Sequence, residues 1–142
     1  MKVEHIPVML EEVIEYLDLK PGENVIDCTF GGGGHSRVMA EKIGSKGKIL
    51  GIDADTTGWE RFKKENIKLA KQIIFVNNNF SNLKSIYEQY FHYAVSGILL
   101  DLGLSTLELE DGERGFSFLS DAELDMRFDL EHQDLTVAKI LN

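Results

Sequence analysis

Apolar and polar positions along this chain switch repeatedly between a helical and an extended period. Val8, Met9, Leu10, Val13, Ile14 and Leu17 recur at helical spacing, with Glu11, Glu12 and Glu15 on the other face. That spacing predicts a helix over 8–17, stopped by Lys20-Pro21-Gly22, so that 1–22 form an N-terminal helical segment. Residues 24–28 (NVIDC) read as a short apolar strand with Asp27 near its end, followed by the run Gly31–Gly34 and a helix over 35–43 closed by Gly44. Residues 48–53 (KILGID) form a second strand that again ends in Asp. A helix over 56–71 follows, with Trp59, Phe62, Ile67 and Ala70 as its inward positions. Residues 73–77 (IIFVN) make a third strand, Ser81 caps a helix reaching about Tyr90, and 95–100 make a fourth strand that runs straight into Asp101. Strand and helix alternate throughout, and strands this apolar predict burial on both faces. The fold class is therefore α/β, a parallel sheet with flanking helices. After Asp101 the pattern loosens: 102–118 read as loop with Gly103, Gly112 and Gly115, and a helix begins near Thr136.

Composition narrows the class. The 142 residues are 43% hydrophobic and 27% charged, an ordinary globular mixture. No stretch approaches the roughly 18 apolar residues of a membrane helix, and the start MKVEHIPVML lacks a signal-peptide core. The single cysteine, Cys28, excludes an internal disulfide and a multi-cysteine zinc site. We therefore expect a soluble, cytoplasmic protein without a bound metal. Lys plus Arg number 15 against 24 Asp plus Glu, a net charge of −9. On charge alone a small or cationic ligand is favoured over nucleic acid, whose phosphates are bound by Lys and Arg.

In an open parallel sheet, ligands bind beyond the carboxyl ends of the strands. Asp27 with the glycines, Asp53, Asn79-Phe80 and Asp101 all fall there, at equivalent places in successive strand–helix units. Gly31–Gly34 lets the backbone approach a ligand closely. As a dinucleotide fingerprint the run fails at its last position, where Ser36 stands for Gly or Ala, and no Gly-Lys-Ser/Thr follows as a phosphate loop requires. Asp53 is placed to accept from both ribose hydroxyls of an adenosine, Asp55 to cap the next helix, and Phe80 to stack on a base. His35 opens the glycine-loop helix, where a hydrogen bond close to the ligand suits it better than metal ligation. Cys28 reads as a buried apolar residue, and Arg114 and Arg127 as salt-bridged or ligand-facing cations. A glycine loop with a ribose-binding acid fits NAD about as well as S-adenosyl-L-methionine. The acids Asp27, Asp53 and Asp101 favour the latter, which carries a cationic sulfonium and no phosphate.

The blocks HIPVMLEEV (5–13), DCTFGGGGHS (27–36), GIDAD (51–55), NF (79–80), GILLDLGLST (97–106), RGFSF (114–118) and LDMRFD (124–129) are similar, in order and spacing, to those of a known family. The chain resembles the bacterial 16S ribosomal RNA cytosine-N4 methyltransferases of the MraW/RsmH type. The resemblance implies a class I, Rossmann-like methyltransferase using S-adenosyl-L-methionine, with cofactor contacts at Gly33, Gly34, His35, Asp53, Phe80 and Asp101. Where the family reads serine-serine-proline-glutamine, this chain has Ser105-Thr106-Leu107-Glu108. Glu108 then takes the glutamine's place at the cofactor, keeping an acceptor but losing the amide donor. The family pattern is longer, and this chain matches its first half. We therefore expect one incomplete methyltransferase domain over 1–142, with 102–142 as a post-sheet loop and helix region. An unpaired edge at 95–100 would be covered by 102–142 or by a second copy in a homodimer. The implied partner is 16S rRNA in the small ribosomal subunit, with no membrane. Asp101 is the expected catalytic acceptor for the amino proton of a cytidine unstacked from the RNA. A truncated, non-catalytic S-adenosyl-L-methionine-binding module is the alternative, and a nicotinamide-dependent oxidoreductase is more distant.

Overall fold

A computed structural model describes residues 7–104, 109, 112–130 and 133–142. The elements through the sheet are α1 (Leu10–Leu17), β1 (Val25–Asp27), α2 (Gly34–Ile43), β2 (Ile49–Asp53), α3 (Thr57–Glu65), α4 (Ile67–Ala70), β3 (Ile73–Asn77), a 3-10 turn (Phe80–Asn82), α5 (Leu83–Tyr90) and β4 (Gly97–Leu99). The strands form one parallel sheet in the order β3-β2-β1-β4. Val25 lies opposite Ile49 and Gly97, and Asp27 opposite Gly51 and Leu99. The β2–β3 register ends with Asp53 opposite Asn77. The chain thus winds outward from β1 to β3, then returns to the other side of β1 at β4. That reversal is the topological switch point at which an open α/β sheet leaves a crevice beyond its strand ends.

Alternate residues of the central strands feed two cores. Val25, Ile49, Ile73 and Leu99 pack with Met39, Ala40 and Ile43 of α2 and Phe62 of α3, while Val13, Ile14 and Leu17 of α1 close that side. Ile26, Leu50 and Ile52 pack with Ile86 and Phe91 around α5. Burial on both faces holds for β1 and β2. It fails for the edge strands β3 and β4, which are partly exposed. On β4, Ile98 faces out and is 47% exposed.

Several boundaries differ from the sequence pattern for local reasons. The N-terminal helix starts at Leu10 because Met9 is left-handed (φ 53), which leaves Val8 and Met9 exposed. The helix expected over 56–71 is two, broken at Asn66 (φ −128, ψ 50), whose amide N–H and side chain both bond the Phe62 carbonyl. The break turns Ile67 outward to 67% exposure and brings Leu69 onto the core in its place. Ser81 is not the cap. Asn82 holds that position in α5, without a side-chain cap bond, while the Asn79 side chain accepts from the Ser81 N–H and caps the 3-10 turn before it.

Contacts divide the chain into two units, Met1–Leu102 and Gly103–Asn142. In the second, the RGFSF and LDMR blocks fold onto each other. The Met126 N–H donates to the Arg114 carbonyl (2.9 Å), and Phe116 meets Phe128 at 5.1 Å between ring centres. Arg127 forks onto Asp125 (2.7 and 2.8 Å) and reaches the Gln133 carbonyl at 2.6 Å. Arg127 is thus an internal salt-bridge residue, which holds the Asp125 carboxyl down to about 2. A final helix, α6 (Val137–Leu141), is capped by the Thr136 side chain.

Candidate functional site at the carboxyl ends of the strands

Asp27 closes β1 but does not face a cleft. It is 1% exposed; its carboxylate accepts from the Ser36 hydroxyl (2.6 Å) and the Thr29 N–H (3.2 Å). Burial pushes its pKa up to about 6, against the lowering effect of the Ser36 and Thr29 bonds and of nearby His35. The expectation that Asp27 offers its charge to a ligand is therefore corrected: it pins the first turn of α2 to the tip of β1. Next to it, burial and the Asp27 charge push the Cys28 thiol up to about 11, so this buried cysteine is inert.

The glycine loop is held from beneath by aromatics. Phe30 meets Trp59, Phe62 and Phe75 edge-on at 5.6, 5.3 and 5.4 Å. Its N–H bonds the Ile52 carbonyl at 3.0 Å, which fastens the loop to β2. The loop then turns through Gly31 (φ 50) and Gly33 (φ 73) into α2. A Cβ on Gly33 would stand 2.4 Å from the Phe62 ring, and one on Gly34 would stand 2.3 Å from Pro7 Cγ. Gly58 of α3 approaches so closely that its Cβ would meet the Gly31 carbonyl oxygen. Gly32, by contrast, faces open space, with nothing within 4 Å of an added Cβ.

This loop grips the tip of β2. The Gly31 N–H donates to one Asp53 carboxylate oxygen at 2.6 Å, and the Asp55 N–H to the other at 2.9 Å. Asp55 in turn accepts from the Thr57 N–H (2.7 Å) at the start of α3. Asn77 ties in β3, its amide donating to the Asp53 and Ala54 carbonyls at 3.0 and 2.8 Å. Phe80 opens the turn just beyond, 38% exposed.

On the β4 side, the Asp101 N–H donates to Thr29 Oγ1 at 2.8 Å, joining the tips of β4 and β1. His35, buried, donates through Nε2 to the Val8 carbonyl at 3.1 Å, and its Nδ1 stands 3.7 Å from Asp101 Oδ2. The Asp101 side chain is 48% exposed. The structure therefore brings Gly33, Gly34, His35 and Asp101 together around the β1–β4 switch point and links Asp53 to the same loop through Gly31. Phe80 stands on the far side, at the tip of edge strand β3. Glu108 lies outside the described residues. Among the described residues no cluster of three or more His, Cys, Asp or Glu could hold a metal ion, and no helix is long and apolar enough to cross a membrane.

The sequence reading missed five contributors. Thr29 and Ser36 act through hydroxyls whose partners are far along the chain. Pro7 and Val8 act through packing and a backbone carbonyl, which no pattern reports. Gly58 alone carried a signal, since a glycine inside a helical pattern marks a close backbone approach.

Comparison with known proteins places these features in context. Residues 2–142 match the model of the MraW methylase family. Ribosomal RNA small subunit methyltransferase H of Clostridium botulinum is 44% identical over 142 residues, covering all of this chain and 45% of that protein. Its namesake in Dehalococcoides mccartyi is 48% identical, covering 97% of this chain and 39% of that protein. The chain thus spans less than half the length of these relatives. Among solved structures, a candidate rRNA-methylase from Clostridium thermocellum is similar with a TM-score of 0.56 at 20% identity, over 72% of this chain and 58% of that one. A SAM-dependent O-methyltransferase from Thermotoga maritima gives 0.51 at 24% identity, over 58% of this chain and 32% of that one. At these identities the structures speak for the fold alone, which is the Rossmann-like class I methyltransferase fold.

Proposed function

Since the chain belongs to the MraW methylase family, we propose that it binds S-adenosyl-L-methionine and serves methyl transfer to the exocyclic N4 amino group of a cytidine in 16S ribosomal RNA. Its partner in this reading is the small ribosomal subunit, and its place of work the cytoplasm. One observation carries the reading: the loop whose Gly31 amide grips Asp53 runs on through open Gly32 into His35, beside Asp101.

The residues fit such a cofactor. Asp53 is held at the tip of β2 with both carboxylate oxygens at the glycine loop and the start of α3, the place at which an acid binds the ribose of an adenosine in such a sheet. Phe80 presents a partly exposed ring at the same end of the sheet for the base. Asp101 supplies the negative charge that suits a sulfonium, and together with Asp53 disfavours a pyrophosphate. Glu108 belongs to the same proposed set. Bound there, S-adenosyl-L-methionine supplies an electrophilic methyl group on cationic sulfur.

The protein's part is acceptance and placement. A cytosine amino nitrogen is a weak nucleophile because its lone pair is delocalised into the ring. An acceptor on its N–H draws density back onto nitrogen and can hold the proton that leaves. Asp101, half exposed and fixed through its own N–H by Thr29, is the group for that role. Positioning and fixed charge supply the remaining acceleration.

Calorimetry with S-adenosyl-L-methionine, its demethylated product and NAD tests the cofactor. Binding of the first two is expected; NAD binding with no response to them overturns the reading. For the reaction, the chain is incubated with small subunits from a strain lacking the modification, and methyl label is sought on cytidine. Cofactor binding without transfer supports the second reading, a non-catalytic S-adenosyl-L-methionine-binding module.

A further inference from the structure

We infer that the amino ends of the strands, at the pole of the sheet opposite the crevice, carry a lysine platform that binds the phosphate backbone of RNA without regard to sequence. The inference rests on the function proposed above for the identity of the partner, and goes beyond it in naming a surface remote from methyl transfer. The chain as a whole carries −9, which opposes nucleic acid, but that charge is unevenly spread. Residues 37–71 hold nine Lys and Arg against five Asp and Glu, a net charge of +4, so the remainder carries −13. Exposed charges more than about 8 Å apart are largely screened at physiological salt. An approaching polyanion therefore responds to the charges beneath it rather than to the total.

The fold gathers six of these lysines at one end of the sheet. Lys42 lies in the last turn of α2. Lys46 sits in the tight turn that follows, closed by the Gly47 N–H on the Gly44 carbonyl at 3.1 Å. The Gly22 N–H donates to the Ile43 carbonyl at 2.7 Å and holds this turn against the chain entering β1. Lys48 leads into β2, and its Nζ donates to the Lys71 carbonyl at 3.4 Å. Beside it the Ile49 N–H donates to the Gln72 carbonyl at 3.0 Å, which sets the turn before β3 next to the start of β2. Lys64 lies in the last turn of α3, and Lys68 on α4, whose Leu69 and Ala70 pack with Met39, Ala40 and Ile43 of α2. Five of the six are exposed, and Lys48 is half-buried. Of the acids nearby, Glu23 accepts from the Lys20 N–H at 2.6 Å and Glu65 stands 3.4 Å from Arg61, while Glu41 is exposed beside Lys42. Lysine offers a compact point charge on a flexible stem, which neutralises phosphate and does not read base edges. A lipid surface fits less well, because α4 is four residues long and exposes Ile67 without an apolar face to lay into a bilayer. The five residues of β2 separate the platform from Asp53 by about 16 Å, so RNA held there leaves the crevice open.

The test is fluorescence anisotropy of the full chain with two short RNA duplexes of unrelated sequence, over a series of potassium chloride concentrations. A platform variant, Lys46→Gln with Lys71→Gln, is compared with an equally charged control, Lys84→Gln with Lys139→Gln, both shown folded by thermal melts. Wild type should bind the two duplexes alike, with affinity falling steeply as salt rises. The platform variant should bind about tenfold more weakly, with the slope of log affinity against log salt shallower by about two, and the control should stay within about twofold of wild type. Lys46→Arg with Lys71→Arg keeps the charge and should restore wild-type binding. Equal losses in the platform variant and the control would reduce the effect to overall charge and overturn the inference. So would a wild type that binds neither duplex, that strongly prefers one sequence, or that binds phosphatidylglycerol vesicles more tightly than RNA. Calorimetry with S-adenosyl-L-methionine should give the same affinity for wild type and the platform variant, since the crevice lies at the other pole. Duplex binding as expected with no cofactor binding would count against methyl transfer and leave the platform standing. Methyl transfer without a platform effect would do the reverse, so the two failures are separable.

Discussion

Asp27→Asn should make the protein more stable at neutral pH, although it removes one of the chain's most prominent acids. The wild-type carboxyl is 1% exposed, and burial lifts its pKa from 3.8 to about 6. An acid whose pKa is higher in the folded than in the unfolded state binds its proton more tightly when folded. Its contribution to stability is fully present below about pH 4 and is lost as pH rises through about 6. The gap between 3.8 and about 6, at about 1.4 kcal/mol per pH unit, comes to about 3 kcal/mol forfeited by pH 8. Asparagine carries no charge to desolvate. Its Oδ1 can still accept from the Thr29 N–H, and its amide can donate to the Ser36 oxygen in place of the hydroxyl bond received now. Urea and thermal melts of both proteins from about pH 3.5 to pH 8 measure the effect. The variant should match wild type below about pH 4, pull ahead between about pH 4 and pH 6, and hold a constant lead above that, by up to about 10 °C in melting temperature for a domain of this size. A variant less stable than wild type at pH 8, or a difference that does not change with pH, would refute the picture of a charge held against its desolvation.

The glycine loop separates packing from ligand approach. Gly33→Ala, with φ 73 and a Cβ 2.4 Å from Phe62, should cost about 1–3 kcal/mol in denaturant melts, whereas Gly32→Ala should leave the melts nearly unchanged and weaken S-adenosyl-L-methionine binding in calorimetry. Asp53→Ala should weaken that binding by about 1–3 kcal/mol as the ribose hydroxyls lose their acceptor; unchanged affinity would remove Asp53 from the site. Thr29→Val deprives the Asp101 N–H of its 2.8 Å partner. It should speed hydrogen exchange at Asp101, with Thr29→Ser restoring protection, and equal exchange in all three proteins would show that the β1–β4 tie does not hold the acid.

The order of elements was legible because each strand is an apolar run ended by a polar residue, and because Lys20-Pro21-Gly22 and Gly44 punctuate the chain. The placement of acids at strand ends was legible for the same reason, and it led to Asp53 and Asp101. It misled at Asp27, since nothing local says that the Ser36 hydroxyl, nine residues on, folds back over that carboxylate and seals it in. The break at Asn66 was equally hidden: the apolar spacing continues across it, and only the backbone shows the face rotating from Ile67 to Leu69. Edge exposure at β3 and β4 follows from strand order, which the pattern of apolar runs does not encode.

The four consecutive glycines show best where sequence and structure divide the work. Read as letters, they are equivalent. In the fold, Gly33 and Gly34 leave room for Phe62 and Pro7, and Gly31 and Gly33 adopt left-handed backbone that a side chain would strain. Gly32 does neither: its φ is ordinary and an added Cβ would touch nothing. Glycine at such a position costs conformational entropy with no return in packing or geometry. The physical use left for its bare backbone is the close approach of something that is not part of the fold. Among the four, the residue the protein's own packing does not explain is thus the one that points most directly at a ligand.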